Sequence, residues 1–181
     1  MRVIASRADL RRYLAADLAA HDLTEWRPHY RLTQRTMYFQ WLLRRSEYWA
    51  NCRPDPVGRL VFFWLATRTK LLGERLGFTI PRNTTGPGLA LRHVGTVVIN
   101  HNARVGARCV ISHGVTIGAD DQNRSPVLGD GVHIAPNACV IGGITIGDNV
   151  GVWSGAVVTR DVPSNVSVAG VPARIVKQAD G

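Results

Sequence analysis

Residues 127–158, VLGDGVHIAPNACVIGGITIGDNVGVWSGAVV, carry an aliphatic residue at every sixth position: Leu128, Ile134, Val140, Ile146, Val152 and Val158. Four positions after each of the first five stands a second small or aliphatic residue, Val132, Ala138, Ile144, Val150 and Ala156. One position before these, the series reads Gly131, Asn137, Gly143, Asn149, Gly155. The same period runs upstream through Ile99, Val105, Ile111 and Ile117, with Ala103, Cys109 and Val115 in the second column. Glycine and asparagine tolerate positive φ, so each hexad is expected to end in a sharp corner. A short strand then points one aliphatic side chain inward, the corner turns the chain, and three such sides close a triangular coil. An amphipathic helix cannot keep a strict period of six, and a sandwich needs longer strands. The pattern predicts an all-β parallel β-helix built on a hexapeptide repeat.

One break in the register is informative. Ile117 and Leu128 are eleven residues apart, and between them lies ADDQNRSP, residues 119–126. That polar segment cannot sit inside a coil and must protrude. It follows a histidine-bearing stretch and is the one sizeable interruption of the repeat, which marks it as a candidate active-site loop.

Upstream of residue 80 the chemistry changes. Of the 13 aromatic residues, 12 lie there and only Trp153 lies beyond, whereas 15 of 18 glycines fall from Gly86 onward. The division expected is therefore a small helical unit, residues 1–80, followed by the β-helix, residues 81–181. Ser6 can cap a helix from Ala8 to about Ala20, with Leu10, Leu14 and Leu18 on one face. Pro28 can open a second helix reaching about Trp49, and Asp55-Pro56 a third ending at Gly77. The aromatics of this unit (Tyr38, Phe39, Trp41, Tyr48, Trp49, Phe62, Phe63, Trp64) read as packing among the helices or against a partner subunit.

The net charge of +9 is uneven: residues 1–80 hold 14 basic and 7 acidic side chains, residues 81–181 only 8 and 6. No basic run exceeds a pair such as Arg44-Arg45, so a solvated helical face accounts for the charge at least as well as a nucleic-acid groove does. No apolar run reaches the length of a membrane span, and the first residues lack a secretory pattern. Cys52, Cys109 and Cys139 form neither a disulfide framework nor a CxxC motif. The expectation is a soluble, cytoplasmic protein without nucleic-acid or membrane partners.

Three segments, GPGLALRHVGTVVIN (86–100), VISHGVTIG (110–118) and AGVPARIV (169–176), resemble the hexapeptide-repeat acyltransferases, and more closely the serine acetyltransferase group, in the form found in polysaccharide gene clusters. The resemblance covers about residues 78–177. It implies a left-handed coil, a homotrimer with its site between subunits, possible pairing of trimers, and acetyl-CoA as donor to a hydroxyl. The family's catalytic histidine falls on His93, which would act as general base. Where the group carries an acidic residue before that histidine, this chain has Arg92. Where it carries a second histidine in the loop, this chain has Ser125, within Arg124-Ser125-Pro126. Where it orients the catalytic imidazole with an aspartate fifteen residues upstream, this chain has Phe78. The first two changes disfavour an α-ammonium group beside the acceptor. A saccharide hydroxyl is therefore the acceptor expected from the sequence, with free L-serine as the alternative and a non-catalytic β-helix scaffold as a third reading.

Arg92, His113, Arg124 and Ser125 are the candidates for holding the acceptor. By place in the family pattern, Gly118, Ala135, Pro136, Trp153 and Ser154 would flank the pantetheine arm of the cofactor, with Trp153 packing either on the cofactor or at a trimer contact. Arg160, Arg174 and Lys177 are candidates for its phosphates. No metal is expected: His101, His113 and His133 lack the short spacing of a zinc ligand pair. His21 and His29 read as surface or helix-end residues.

Overall fold

The computed structural model describes residues 3–178. Four helices come first: α1 (Arg7–Ala19), the single turn α2 (Tyr30–Thr33), α3 (Arg35–Cys52) and α4 (Pro56–Leu76). Ser6 caps α1 through the Asp9 N–H, and Asp55 caps α4 through the Gly58 N–H, with Gly77 at φ 82° closing it. The second expected helix is divided. Gln34, at φ −123° and ψ 65°, leaves helical geometry between α2 and α3 although no glycine or proline marks the spot.

Short strands follow: β1 (Phe78–Thr79), β2 (Ala90–Leu91), β3 (Val97–Ile99), β4 (Arg104–Val105), β5 (Val110–Ile111), β6 (Val115–Gly118) and β7 (Val127–Leu128). The series continues with β8 (His133–Ile134), β9 (Cys139–Ile141), β10 (Thr145–Ile146), β11 (Gly151–Val152), β12 (Val157–Val158), β13 (Val166–Ala169) and β14 (Arg174–Gln178). They form three parallel faces. Face one is β1-β3-β6-β9-β12, face two is β4-β7-β10, and face three is β2-β5-β8-β11-β13, to which β14 adds antiparallel. Val97 stands beside Val115, and His133 beside Gly151, each eighteen positions on, so three hexads make one turn of the coil. Across the loop the step lengthens: Val110 stands beside His133 and Arg104 beside Val127, twenty-three positions on. The loop thus adds five residues to one turn and leaves the stacking of later turns intact.

The two aliphatic columns are the core. Ile111, Ile134, Val140, Cys109, Val132 and Ala138 are fully buried, and burial of each Val or Ile contributes about 1.5–3 kcal/mol. The corners are where expected at Gly131 (φ 68°), Asn137 (φ 60°) and Asn149 (φ 54°). The corner assigned to Gly143 is instead made by Gly142, at φ 101°. Gly143 serves a different need, because a Cβ there would stand 2.7 Å from the Arg124 Cβ of the loop.

The helical unit is clamped to the first turn. Arg44, on α3, is fully buried; its Nε donates to Asp17 on α1 (2.8 Å), Nη1 to Glu47 (3.3 Å) and to the Thr85 carbonyl (2.9 Å), and Nη2 to the Gly86 carbonyl (2.6 Å). Asp17 also accepts from the Gly88 and Leu89 N–H groups. Arg44 is therefore no part of a solvated basic face. Burial alone would lower its guanidinium, but Asp17 and Glu47 outweigh that and hold it above its ordinary range. Of the helical aromatics, Trp26, Tyr38 and Trp41 stack together, while Phe63 and Trp64 face outward and are more than half exposed. Among the described residues no helix is long and apolar enough to cross a membrane.

Candidate active site

Each turn of the coil has an edge where face three passes to face one. Successive turns place there Arg92–Thr96, Ser112–Gly114, Ala135–Asn137 and Trp153–Gly155, so distant hexads line up in a column. Three pieces of the helical unit converge on its first corner. The Leu76 carbonyl at the end of α4 accepts from Gly95 N–H (3.0 Å), and Gly77 from Val97 N–H (2.9 Å). On α3, Gln40 donates to the Leu89 carbonyl (2.6 Å) and accepts from Leu91 N–H (3.3 Å). His21, just past α1, places Nε2 2.8 Å from Gln40 Oε1. His21 is thus built into the support of this corner rather than being a simple helix-end residue. Burial lowers it from the usual histidine value, with the Arg92 charge adding to the effect. His29 is exposed.

His93 is exposed on this corner, and the next turn sets His113 against it edge to face, ring centroids 5.7 Å apart. Among the described residues no side chain hydrogen-bonds the His93 ring. Phe78, at the place of the expected orienting aspartate, is buried in the core and packs edge-on against Phe39 (5.2 Å). Among the described residues His113 Nδ1 is enclosed without a hydrogen-bond partner. Gly95 makes room for His113: a Cβ on Gly95 would stand 2.9 Å from the His113 Cβ.

Where face three meets this edge, Ala135, Trp153, His133 and Ser167 line a shallow groove of about 240 Å³. Trp153 is 55% exposed, an indole with no core to fill. Pro136 and Ser154 are the next corner residues beside it. The coil therefore brings Arg92, His93, His113, Ala135, Pro136, Trp153 and Ser154 onto one edge.

Other candidates stand elsewhere. Gly118 ends β6, and residues 119–126 leave from there, so Gly118, Arg124 and Ser125 lie on the edge between faces one and two. β6 separates the two edges by about 10 Å at ordinary strand rise. The loop is compact. Asp120 accepts from the N–H groups of Gln122 and Arg124 and pairs with Arg124 Nε (2.8 Å), while Ser125 Oγ donates to Asn100 (3.0 Å). Backbone donation from Arg124 holds the Asp120 carboxyl below its usual value. Arg160 and Arg174 meet at the end of the coil, in a hollow shared with Asp161, and Lys177 follows on β14. His101 lies on the loop-bearing edge, His113 on the opposite one and His133 on face three; among the described residues no group of His, Cys, Asp and Glu is placed to hold a metal.

The sequence pattern described as bacterial transferase hexapeptide (six repeats) matches residues 125–160. A serine acetyltransferase of Synechococcus elongatus is 40% identical over 99 residues, which make up 53% of this chain and 41% of that protein. The match therefore spans about two fifths of that relative's length. Among solved structures, the soybean serine acetyltransferase apoenzyme is 30% identical with a TM-score of 0.73, over 93% of this chain and 69% of that one. A serine acetyltransferase from Brucella abortus, solved in complex with coenzyme A, is 25% identical with a TM-score of 0.69, over 96% of this chain and 70% of that one.

Proposed function

Because the chain belongs to the hexapeptide-repeat transferases, in their serine acetyltransferase group, we propose that it is an acetyl-CoA-dependent O-acetyltransferase whose coil is left-handed. The observation that carries the reading is His93, exposed on a corner stacked against His113 and in line with the Trp153 groove. In the proposed reaction His93 takes the proton of the acceptor hydroxyl as its oxygen attacks the thioester carbonyl. The tetrahedral intermediate then collapses, the C–S bond breaks, and His93 returns the proton to the departing thiolate. His113, whose ring stands against that of His93, is placed to hydrogen-bond the acceptor oxygen or the developing oxyanion. The Trp153 groove would receive the pantetheine arm, and the complex of a relative with coenzyme A supports that donor.

L-Serine is the acceptor that the comparisons favour, since the relatives named above are serine acetyltransferases. A second reading, a saccharide hydroxyl, rests on Arg92 beside His93 and on Ser125 in the loop, where the resemblance expects an acid and a histidine. The separation of His93 from Arg124 and Ser125 on two edges supports assembly as a homotrimer, in which a neighbour's loop would complete the site. A thiol-release assay with acetyl-CoA, across amino acids and saccharides, tests the reading. Turnover with serine alone would make Arg92 and Ser125 tolerated changes, and turnover with saccharides alone would make them specificity determinants. No release with either panel, sugar phosphates included, would overturn the assignment. Arg92→Asp with Ser125→His should shift selectivity toward serine.

A further inference from the structure

Between the start of α3 and the last turns of α4 lies a cleft of about 450 Å³ that no part of the proposed reaction uses. Its rim carries Arg31, Arg35, Arg68 and Arg75, and its walls include Tyr38 and Leu72. Elsewhere on the protein, Arg12, Arg27, Arg53, Arg108 and Arg124 each have a carboxylate within ion-pairing distance. Among the described residues no carboxylate pairs with any of the four in the cleft, and Glu74, nearby on α4, is taken up by Lys70 (3.9 Å). Two of the four are oriented by aromatic rings. Arg68 donates to the Tyr38 hydroxyl (3.1 Å) and lies 5.0 Å over Trp64, and Arg31 lies 6.0 Å over Tyr38. Four guanidinium groups around one hollow repel each other, and an anion shared among them removes that repulsion. Their planar forks match phosphate oxygens, and the Tyr38 and Leu72 walls suit the carbon skeleton of an ester.

The position of the cleft ties it to the reaction. Leu76 lines its inner end, and the carbonyl of that residue accepts from Gly95, two residues after His93. Gln40, five residues along α3 from Arg35, holds Leu91, two residues before His93. Arg92, exposed on the corner itself, adds a further cation that pairs with no carboxylate among the described residues. We propose that this cleft is an anion subsite for the acceptor, which carries a phosphate or diphosphate ester held by Arg31, Arg35, Arg68 and Arg75 while its hydroxyl reaches His93. Of the two acceptor readings above, the cleft favours the saccharide one, with the sugar carrying a phosphate to meet the four guanidinium groups. The inference rests on the acetyltransferase reading for the word acceptor, but the anion site itself is measured separately.

The test uses calorimetric titration of the full chain with glucose 1-phosphate and with glucose. Vesicles of phosphatidylcholine, with and without phosphatidic acid, provide a second arm. Binding of glucose 1-phosphate at least tenfold tighter than glucose supports a soluble phosphate ester. Binding confined to phosphatidic acid vesicles supports a lipid-borne one. In either case Arg35→Gln with Arg75→Gln should lose the preference tenfold or more while CoA affinity stays within twofold. Arg31→Gln with Arg68→Gln repeats the measurement on an independent pair should the first fail to fold. Phosphate binding unchanged in both pairs, no phosphate preference in the wild type, or a matching loss of CoA affinity would overturn the proposal. Acetyl-CoA thiol release is followed in parallel. Silence there, with phosphate binding intact, would sink the acetyltransferase reading and leave the anion site standing.

Discussion

Arg44→Ala removes the centre of the clamp between the helical unit and the first turn of the coil. In the folded protein it leaves Asp17 and Glu47 buried without their counter-ion and strips the Thr85 and Gly86 carbonyls of a donor. Taking one partner from a buried ion pair costs about 3–5 kcal/mol, most of it the penalty for the charge left behind. Tyr13, which Arg44 overlies at 4.9 Å, loses packing as well. Against a total stability of about 5–15 kcal/mol the loss is large. At a denaturant slope of about 2 kcal/mol per molar urea, the unfolding midpoint should fall by about 2 M. Circular dichroism in urea gives the midpoint, and near-ultraviolet signals from Trp26 and Trp41 report whether the helical unit loosens first. A midpoint within about 0.5 M of the wild type would refute the reasoning, because it would mean that Asp17 and Glu47 find solvent or protons without loss.

Gly95→Ala should destabilise the His93 corner by about 1–3 kcal/mol, because φ is 140° there and the new methyl meets His113; an unchanged urea midpoint would contradict this. Burial pushes the Cys109 thiol up to about 11, so iodoacetamide at pH 8 should label it only after unfolding; rapid labelling of native protein, located by mass spectrometry, would overturn its placement in the core. His21 is lowered by burial, so the folded state binds fewer protons than the unfolded one. Its contribution to stability is complete above the unfolded value of about 6.5 and is lost as pH falls through the lower folded value. Urea midpoints from pH 7.5 to 5 should therefore decline less steeply in His21→Gln than in the wild type, and parallel slopes would remove His21 from the account.

The coil was legible because its physics is periodic. A buried residue every sixth place, with Ile111, Ile134 and Val152 stacked turn upon turn, cannot arise from a helix or a sandwich and needs no tertiary knowledge to recognise. Ser6, Asp55 and Gly77 were equally readable, since a cap acts on backbone groups three or four residues away. What escaped was long-range. Asp17, Arg44 and Glu47 look like the polar face of two helices, and only the approach of residues 85–89 turns that face into a buried ion cluster. His21 escaped for the same reason, because its partner Gln40 gains its meaning from the Leu89 and Leu91 backbone groups that it also holds. The break at Gln34 carries no glycine or proline, so helix propensity passed over it. For the site, His93 was reached through its motif, but its pairing with His113 was not readable from the period: the two are twenty positions apart, and Ala90 meets Val110 at that same irregular step rather than at eighteen. That Gly118, Arg124 and Ser125 occupy a different edge depends on which face each strand joins, and a linear hexad pattern does not order the faces.

The central claim is that His93 serves as general base while an acetyl group passes directly from acetyl-CoA to a hydroxyl. It is tested most directly by thiol release and CoA binding measured side by side in the wild type and in His93→Ala. The account predicts acceptor-dependent release in the wild type, loss of at least a hundredfold in the variant, as removal of a general base typically produces, and CoA affinity within about twofold of the wild type. Release that survives in His93→Ala, or a wild-type protein that binds CoA and releases no thiol with any hydroxyl acceptor, would contradict it.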